Sequence, residues 1–297
     1  MGKDHHGKTL SVEEKDNLTK ILLAFVRWVL QPKDKERKFK YEKMLYLYGA
    51  KGSGKGTFLE VIRMLIGEPN CGNISLPNLD NQNMLFSLLG KVVAMCMDHQ
   101  GHIPDSDILS QLISNESLLV KKLYKDSFSA RLGTPVIVAS NAYPSFSREC
   151  TGMERRIIPI AFNSPPVESD PFLLDTLEKE IPHIFNLVMA HSMEFVDRYL
   201  RTADYTASVE QFKLEIELAN NPVMQWLEQY PSPTASLEGS WKLSTDSLYK
   251  NYLDWCKENG QLHPGNTAVF GKRLGELGCQ PYRTKNDRGW DLGMRIK

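Results

Sequence analysis

A glycine-rich run between two apolar segments constrains the fold of this chain more than any other feature. The run is GAKGSGKGT, residues 49–57. Residues 44–48 (MLYLY), before it, are typical of a buried strand, and residues 58–66, after it, have the apolar spacing of a helix. In such a strand–loop–helix unit, backbone N–H groups close around a polyphosphate. The chain is therefore expected to contain an α/β domain that binds a nucleotide.

The loop residues have distinct expected roles. Lys55 is placed to reach the outer phosphates, while the glycines and the helix amino terminus supply backbone donors. Gly56 stands where a magnesium-binding Ser or Thr is usual, so Thr57 comes one residue late. The predicted nucleotide-binding residues are Gly49, Gly52, Gly54, Lys55, Gly56 and Thr57. A plain glycine turn is the alternative, and the order of strand, loop, lysine and helix disfavours it.

Two further apolar runs predict buried strands. Residues 91–97 (KVVAMCM) end at Asp98, and residues 135–140 (PVIVAS) end at Asn141. Buried strands that alternate with helices indicate a parallel sheet with its chemistry at the carboxyl ends of the strands. Asn141 could hydrogen-bond the attacking water or the outermost phosphate, or it could simply form a turn.

Asp98 is the expected magnesium ligand, together with Thr57, because a carboxylate at this place can hold the ion or orient water. A role as a helix cap is the alternative. Most ATPases of this type have a second acid beside it, but here His99 follows. The general base is then either missing or supplied from the next loop, where Asp105 and Asp107 are candidates.

Two basic clusters are candidates for contacts with phosphates. Arg155 and Arg156 precede the apolar run 157–160, and an arginine that reaches a neighbouring subunit's nucleotide would neutralise transition-state charge. A solvated arginine pair is the alternative. Residues 121–129 (KKLYKDSFS) alternate enough to form a hairpin, in which Lys121, Lys122 and Lys125 would hold DNA phosphates and Tyr124 would stack on a base. A solvated basic edge strand is equally compatible with this pattern.

The chain divides by pattern into four segments. A helical amino-terminal segment (1–40) begins with the capping-box spacing SVEE at residues 11–14. An ATPase core (41–200), a polar linker (201–222) and a small terminal domain (223–297) are expected after it. The polar start, MGKDHHGK, is given no weight.

The terminal domain combines two predicted helices, 247–256 and 267–277, with a predicted hairpin from residue 282 onward. This combination is typical of a winged helix. Basic residues on the second helix and on the wing would then contact DNA phosphates. They are Lys272, Arg273, Arg283, Lys285 and Arg288. A winged helix that docks a protein is the alternative.

Composition sets outer limits. The chain has 36 Lys and Arg against 36 Asp and Glu, so binding to nucleic acid must come from local patches. Its five cysteines are scattered without a Cys-x-x-Cys pair, which argues against zinc fingers and disulfides. No apolar stretch approaches the length that spans a bilayer, so a cytoplasmic protein without a membrane partner is expected.

From about residue 22 to its end, the sequence resembles the superfamily 3 helicases, particularly the helicase halves of phage, plasmid and poxvirus-type primase–helicases. The segments that carry the resemblance are LYGAKGSGKGTF, GHIPDSDILSQLISNESLLVKKLYKDSFSARLGTPVIVASN and MERRIIPIAF. The resemblance implies an AAA+ type P-loop core that binds ATP and Mg²⁺, a terminal winged helix, and a homo-hexameric ring that moves on single-stranded DNA.

The same resemblance assigns individual roles. It implies Lys55 with Thr57 as the Walker A residues, Asp98 as the Walker B acid and Asn141 as the sensor. It also implies Lys122 or Lys125 as the DNA-contacting lysine and Arg156, less favourably Arg155, as the arginine finger. The sequence departs from the family pattern at Gly56 and His99. A primase or polymerase is an expected partner, since priming would belong to another protein or to a longer chain.

Three functions follow for testing. An ATP-dependent DNA helicase is preferred. A replication initiator or helicase loader with little unwinding activity is the first alternative, because the second acid is missing. A nucleotide kinase is less favoured, since such a kinase needs an arginine-rich lid and no winged helix.

Overall fold

The computed structural model describes residues 2–31, 41–104, 106–146, 153, 155–168, 170–230, 242–259, 264–284 and 288–292. They belong to two compact units, Met1–Ile216 and Glu217–Lys297, called here the amino-terminal and carboxyl-terminal units. The sequence pattern divided the chain into four segments, the last beginning at residue 223. The structure has two units, which meet between Ile216 and Glu217.

The strands of the amino-terminal unit are β1 Met44–Tyr48, β2 Cys71–Asn73, β3 Val93–His99, β4 His102–Ile103, β5 Leu118–Lys121, β6 Ser127–Ala130, β7 Val136–Ser140, β8 Ser145–Phe146 and β9 Ile157–Ala161. Its helices are α1 Val12–Val29, α2 Lys55–Ile66, α3 Gln82–Ser87, α4 Ser106–Ile113, α5 Leu173–Met189, α6 Met193–Leu200 and α7 Ala207–Asn220, the last of which ends within the carboxyl-terminal unit.

A five-stranded sheet in the order β2-β3-β7-β1-β9 forms the centre of the amino-terminal unit, and all its pairings are parallel. Both faces are buried. Along β1, Leu45 and Leu47 pack into one hydrophobic core, while Met44 and Tyr46 pack into the other. This two-sided burial explains why the predicted strands read as continuous apolar runs. The predicted parallel sheet is confirmed.

The segments expected to lie outside the core are part of it. The predicted linker contains α7, whose Val209, Phe212 and Ile216 are buried in the amino-terminal unit. The polar start MGKDHHGK, to which the sequence-based prediction gives no weight, also packs on this unit, since His5 is buried and stacks on Phe212 with ring centroids 4.3 Å apart.

The predicted amino-terminal helix is confirmed as α1, with the capping box between Ser11 and Glu14 in place. Four of the cysteines lie within the described residues and are buried, whereas Cys150 lies outside them. Among the described residues, no helix combines the length and apolar character needed to cross a bilayer.

The carboxyl-terminal unit contains α8 Pro222–Gln229, β10 Lys242–Ser244, α9 Thr245–Glu258, α10 Thr267–Glu276, β11 Gln280–Arg283 and β12 Arg288–Asp291. Its strands form an antiparallel sheet in the order β10-β12-β11. Trp226 of α8, Tyr252 of α9 and Phe270 of α10 meet in its core. The two expected helices and the hairpin are present, and α8 and β10 complete the unit.

Candidate nucleotide-binding site and basic surfaces

The loop between β1 and α2 has the backbone shape that only glycine adopts easily. Gly52 and Gly54 have φ values of 75° and 95°, in the left-handed region. A Cβ atom added to Gly49 would lie 2.1 Å from the carbonyl oxygen of Phe162. The chain can therefore turn sharply after β1 and start α2 directly at Lys55.

Lys55 is held at the centre of this loop. Its side chain is largely buried, and its Nζ donates to the carbonyl oxygens of Gly49 (2.7 Å) and Ala50 (2.8 Å). The same nitrogen donates to Oδ1 of Asn141 at 2.9 Å. Burial lowers the pKa of Lys55, and the nearby charge of Asp98 opposes this effect. The lysine thus connects the end of β1 with the end of β7.

Asp98 lies within β3, not after it as predicted. The pairing of β3 with β7 shifts register between Cys96 and His99, and Asp98 has a φ of 53°. A bulge of this kind re-aims a side chain and is often found beside an active site. Asp98 is exposed and lines the same cavity as Lys55.

This cavity has a volume of about 460 Å³, within the usual range of roughly 300–1,000 Å³ for ligand sites. The predicted residues that line it are Gly52, Gly54, Lys55, Gly56, Thr57, Asp98 and Asn141. Gly49 contributes through its carbonyl contact with Lys55. The structure therefore gathers the predicted nucleotide-binding residues around one cavity.

Sequence reasoning missed the opposite wall of the cavity. Asp170, Pro171, Leu173 and Leu174, just before and at the start of α5, also line it. Oδ1 of Asp170 accepts a hydrogen bond from the backbone N–H of Phe172 (2.9 Å). No local sequence pattern marks these residues, because only the tertiary fold brings them to the site.

The donor set suits a nucleotide with a divalent cation. Backbone N–H groups of a glycine loop and one lysine match a polyphosphate, while Thr57 and Asp98 offer the oxygen ligands that Mg²⁺ prefers. Gly56 has no atom within 4 Å of an added Cβ, so the missing hydroxyl at this position is not enforced by crowding.

The structure places the candidates for a general base differently from the sequence prediction. His99 is buried, and burial lowers the pKa of its imidazole. Asp107 is exposed on α4 away from the cavity lining, and Asp105 lies outside the described residues. Among the described residues, the carboxylates that line the cavity are those of Asp98 and Asp170.

The two predicted arginines lie at the amino end of β9, the edge of the sheet opposite the nucleotide cavity. Arg156 is 8% exposed, and its guanidinium donates to Ser114 Oγ (3.0 Å) and lies 3.5 Å from Glu42 Oε2. The Arg155 side chain is 70% exposed. The favoured arginine finger, Arg156, is thus bound within its own subunit, whereas the less favoured Arg155 projects into solvent.

Together with Lys43 and Arg201, these arginines line a second cavity of about 210 Å³. Nζ of Lys43 donates to the carbonyl oxygen of Arg155. Burial, and then the neighbouring charges of Lys213 and Arg155, lower the pKa of Lys43 to about 8. The cavity is therefore rich in cations.

The predicted hairpin is confirmed. Strands β5 and β6 pair antiparallel, with Lys121 opposite Ser127. At its tip, Tyr124 adopts a φ of 60° and is 93% exposed. Lys121, Lys122 and Lys125 are exposed as well. The hairpin thus presents three cations and an aromatic ring to solvent.

The predicted DNA-binding residues of the carboxyl-terminal unit differ in exposure. Lys272 is exposed on α10, 3.8 Å from Glu276 Oε1. Arg273 is buried and pairs with Glu276 at 3.1 Å, so it is less accessible for the expected phosphate contact than Lys272. Arg283 on β11 and Arg288 on β12 are exposed, whereas Lys285 lies outside the described residues.

Comparison with known proteins gives two family matches. Residues 47–156 match a model described as a family of unknown function (DUF5906), and residues 218–291 match the Poxvirus D5 protein-like family. Together with the fold, the second match supports a D5-type relationship. The first match covers the glycine loop, the hairpin and both arginines.

The fold is similar to that of solved structures of the NrS-1 C-terminal region. One apo structure has a TM-score of 0.56 at 14% identity, over 95% of this chain and 75% of that one. Another has a TM-score of 0.54 at 15% identity, over 90% of this chain and 64% of that one. At these identities the likeness concerns the fold.

Proposed function

We propose that this protein is the ATP-hydrolysing motor of a D5-type primase–helicase system, and that it moves on single-stranded DNA during replication. The observation that carries the proposal is the 2.9 Å contact between Lys55 Nζ and Asn141 Oδ1, in a cavity also lined by Asp98. This contact joins a phosphate-binding lysine to a polar side chain on the adjacent strand. P-loop ATPases need these two groups at the outermost phosphate.

The sheet order supports an AAA+ type core. β1 lies between β7 and β9, and β3 pairs with the other edge of β7. This order brings the ends of β1, β3 and β7 to one edge, where Lys55, Asp98 and Asn141 meet. In this arrangement, a side chain at the end of β7, the strand beside β1, can contact the outermost phosphate.

The residues of the cavity divide the chemistry among them. Lys55 would exchange its carbonyl partners for phosphate oxygens, and Asn141 would orient the attacking water. Thr57 and Asp98 would hold Mg²⁺, which, when bound, neutralises charge on the outer phosphates. Asp98 or Asp170 would accept the proton from water, since they are the carboxylates of the described lining.

A ring of subunits, which we propose to be a homo-hexamer, would complete the site. Arg155 is the exposed arginine at the edge opposite the cavity, where it could approach a neighbour's nucleotide. Arg156 would act by position, because its contacts with Ser114 and Glu42 fix the chain just before β9.

Two surfaces would contact DNA. The hairpin offers Lys122 and Lys125 to phosphates and the exposed ring of Tyr124 to a base. The carboxyl-terminal unit, three helices with a small antiparallel sheet, would act as a winged helix through Lys272, Arg283 and Arg288. A primase or polymerase would supply the priming activity.

One observation favours a second function, a replication initiator or helicase loader with slow hydrolysis. The residue after Asp98, where an acid is usual, is His99. It is buried, and burial lowers its pKa. The nucleotide kinase is less well supported. Within the described lining of the cavity, the cationic residues are Lys51 and Lys55, and an arginine-rich lid is absent.

The decisive experiment measures ATP hydrolysis by the full chain with and without single-stranded DNA. A helicase motor should hydrolyse ATP and be stimulated several-fold by DNA, and the Lys122→Ala/Lys125→Ala variant should lose the stimulation while keeping its basal rate. Lys250→Ala, on the exposed surface of α9, is the control. Binding of ATP and DNA with negligible hydrolysis would favour the loader. Phosphate transfer to a nucleoside monophosphate would favour the kinase.

A further inference from the structure

A tight turn near the amino terminus presents two adjacent histidines. Gly7 N donates to the Asp4 carbonyl oxygen (3.0 Å), and Asp4 N donates to the Lys8 carbonyl oxygen (2.8 Å). Oδ1 of Asp4 accepts from the N–H groups of His6 (3.0 Å) and Lys8 (2.8 Å). Gly7 takes a φ of 82°, which closes the turn. His5 and His6 are therefore displayed by an internally bonded turn.

The turn is fixed to the amino-terminal unit. Nδ2 of Asn163 donates to the Asp4 carbonyl oxygen at 2.8 Å, and Gly2 N donates to Ser164 Oγ at 2.9 Å. The His5 ring stacks on Phe212 of α7 with an interplanar angle of 8°. These contacts hold the segment in one place against α7.

Both imidazoles converge on one carboxylate of α7. Nε2 of His5 lies 2.9 Å from Glu215 Oε2, and Nε2 of His6 lies 2.8 Å from Glu215 Oε1. The three potential ligand atoms all lie within 4.8 Å of one another. The His5 side chain is 2% exposed, so the ring nitrogen is shielded on the protein side, while His6 stays accessible from solvent.

The carboxylate has supporting partners of its own. Nε2 of Gln211, one turn earlier on α7, donates to Glu215 Oε1 at 3.1 Å. The hydroxyl of Tyr143 lies 3.5 Å from Glu215 Oε2. Such outer contacts orient the ligating groups of metal sites. Glu215 is therefore held in place independently of the histidines.

We propose that His5, His6 and Glu215 form a binding site for a divalent transition metal of the zinc class, which joins the amino-terminal turn to α7. Two imidazole nitrogens and one carboxylate are a ligand set that suits Zn²⁺, with water as the fourth ligand. Zinc binds such ligands at about 2.0–2.2 Å, so ligand atoms that lie within 4.8 Å of one another are close enough to share one ion.

Metal binding needs neutral imidazoles. Burial lowers the pKa of His5, which favours its neutral form, whereas the hydrogen bond to Glu215 raises the pKa of His6, which opposes it. A pair of ion pairs without metal is the competing explanation of the same contacts.

The test is titration of the full chain with ZnCl₂, followed by calorimetry. Wild-type protein should bind one equivalent, and His6→Gln and Glu215→Gln should each weaken this binding by at least about 100-fold, more than the loss of an outer-shell partner. His6 is chosen because it is exposed, whereas a change of buried His5 could unfold the segment. His102→Gln, an exposed histidine on β4, is the matched control and should bind as wild type.

Two further readouts separate a metal site from ion pairs. Co²⁺ in place of zinc should give the visible absorption of a four-coordinate site in wild type and His102→Gln only. Zn²⁺ should raise Tm in these two proteins and not in His6→Gln, because an ion that binds the native state stabilises it. The proposal is overturned if wild-type protein takes up no zinc, or if folded His6→Gln and Glu215→Gln bind it as wild type does.

Discussion

The two ends of the parallel sheet carry different chemistry. At the carboxyl ends of the strands, Lys55 faces Asp98 and Asn141 in a cavity of about 460 Å³ rimmed by glycine backbone. At the amino ends, Arg155 and Lys43 line a cavity of about 210 Å³. At the first end, carboxylates and carbonyl oxygens balance the charge of Lys55, whereas the second end gathers positive charge. In the proposed ring, the first end would hold a nucleotide within a subunit and the second would offer charge to a neighbour.

The largest effect is expected at the cation-rich end. Arg155→Ala should lower kcat for ATP hydrolysis by roughly 1,000-fold or more, the usual contribution of an arginine finger, while nucleotide affinity stays unchanged. Steady-state hydrolysis measures kcat, and ATP titration measures nucleotide affinity. Mixing with Lys55→Ala subunits should restore part of the activity, because mixed rings contain intact pairs. Full activity in Arg155→Ala would remove the proposed difference between the two ends.

The next effect concerns the opposite end. Lys55→Ala should lower affinity for ATP by about 2–4 kcal/mol, because the charge-assisted hydrogen bonds to phosphate are lost. Tm should change little, since Lys55 contacts loop carbonyl oxygens and not the hydrophobic core. Calorimetric titration of ATP without DNA gives the measurement, with Lys121→Ala on exposed β5 as control. Unchanged affinity would exclude the glycine loop as the phosphate site.

A smaller effect separates the two arginines. Arg156→Ala should lower the free energy of unfolding by about 1–3 kcal/mol, because the half-buried Ser114 hydroxyl and the chain before β9 lose their partner. Arg155→Ala should change it by less than about 0.5 kcal/mol, as expected for an exposed side chain. Urea denaturation of both variants measures the contrast. Equal losses would mean that the two arginines have the same structural role.

The smallest effect is a pH dependence at the cation-rich end. The pKa of Lys43 falls from its usual 10.5 to about 8 in the folded protein, so between these values the unfolded chain holds more protons. The free energy of unfolding should therefore rise as pH increases from about 8 to 10.5. Lys43→Met should flatten this rise, by about 1 kcal/mol or less.

The matched control is Lys121→Met, a change to an exposed lysine on β5, which should leave the slope intact. Thermal melting of both variants across this pH range gives the comparison. An identical rise in wild type and Lys43→Met would show that the slope arises elsewhere.

Local sequence determined the elements that depend on nearby residues. Alternation of turns and apolar runs predicted β1, β3 and β7, and SVEE predicted the start of α1. The glycine run predicted the loop between β1 and α2. The φ values of Gly52 and Gly54, and the close approach of Phe162 to Gly49, restrict these three positions to glycine. The hairpin was predicted from alternation in residues 121–129, and its strands extend to residues 118 and 130. In each case the signal and the structure span only a few residues.

Only the tertiary structure decided how side chains are used. Arg155 and Arg156 are alike in sequence, and both lie near Glu42, but only Arg156 is buried and donates to Ser114, which is far away in the chain. Asp170 enters the nucleotide cavity because α5 packs on α2. Burial and pairing depend on segments that periodicity cannot connect.

The amino-terminal histidines show the same limit most clearly. Their polar surroundings resemble an appendage, and their partner Glu215 is 210 residues from His5. Hydrophobic periodicity and secondary-structure propensity describe residues that are close along the chain. A contact between charges or ligand atoms depends instead on which distant segments the core brings together. The sequence by itself therefore determined these elements and the glycine loop, and packing of the sheet and α7 decided which polar groups meet.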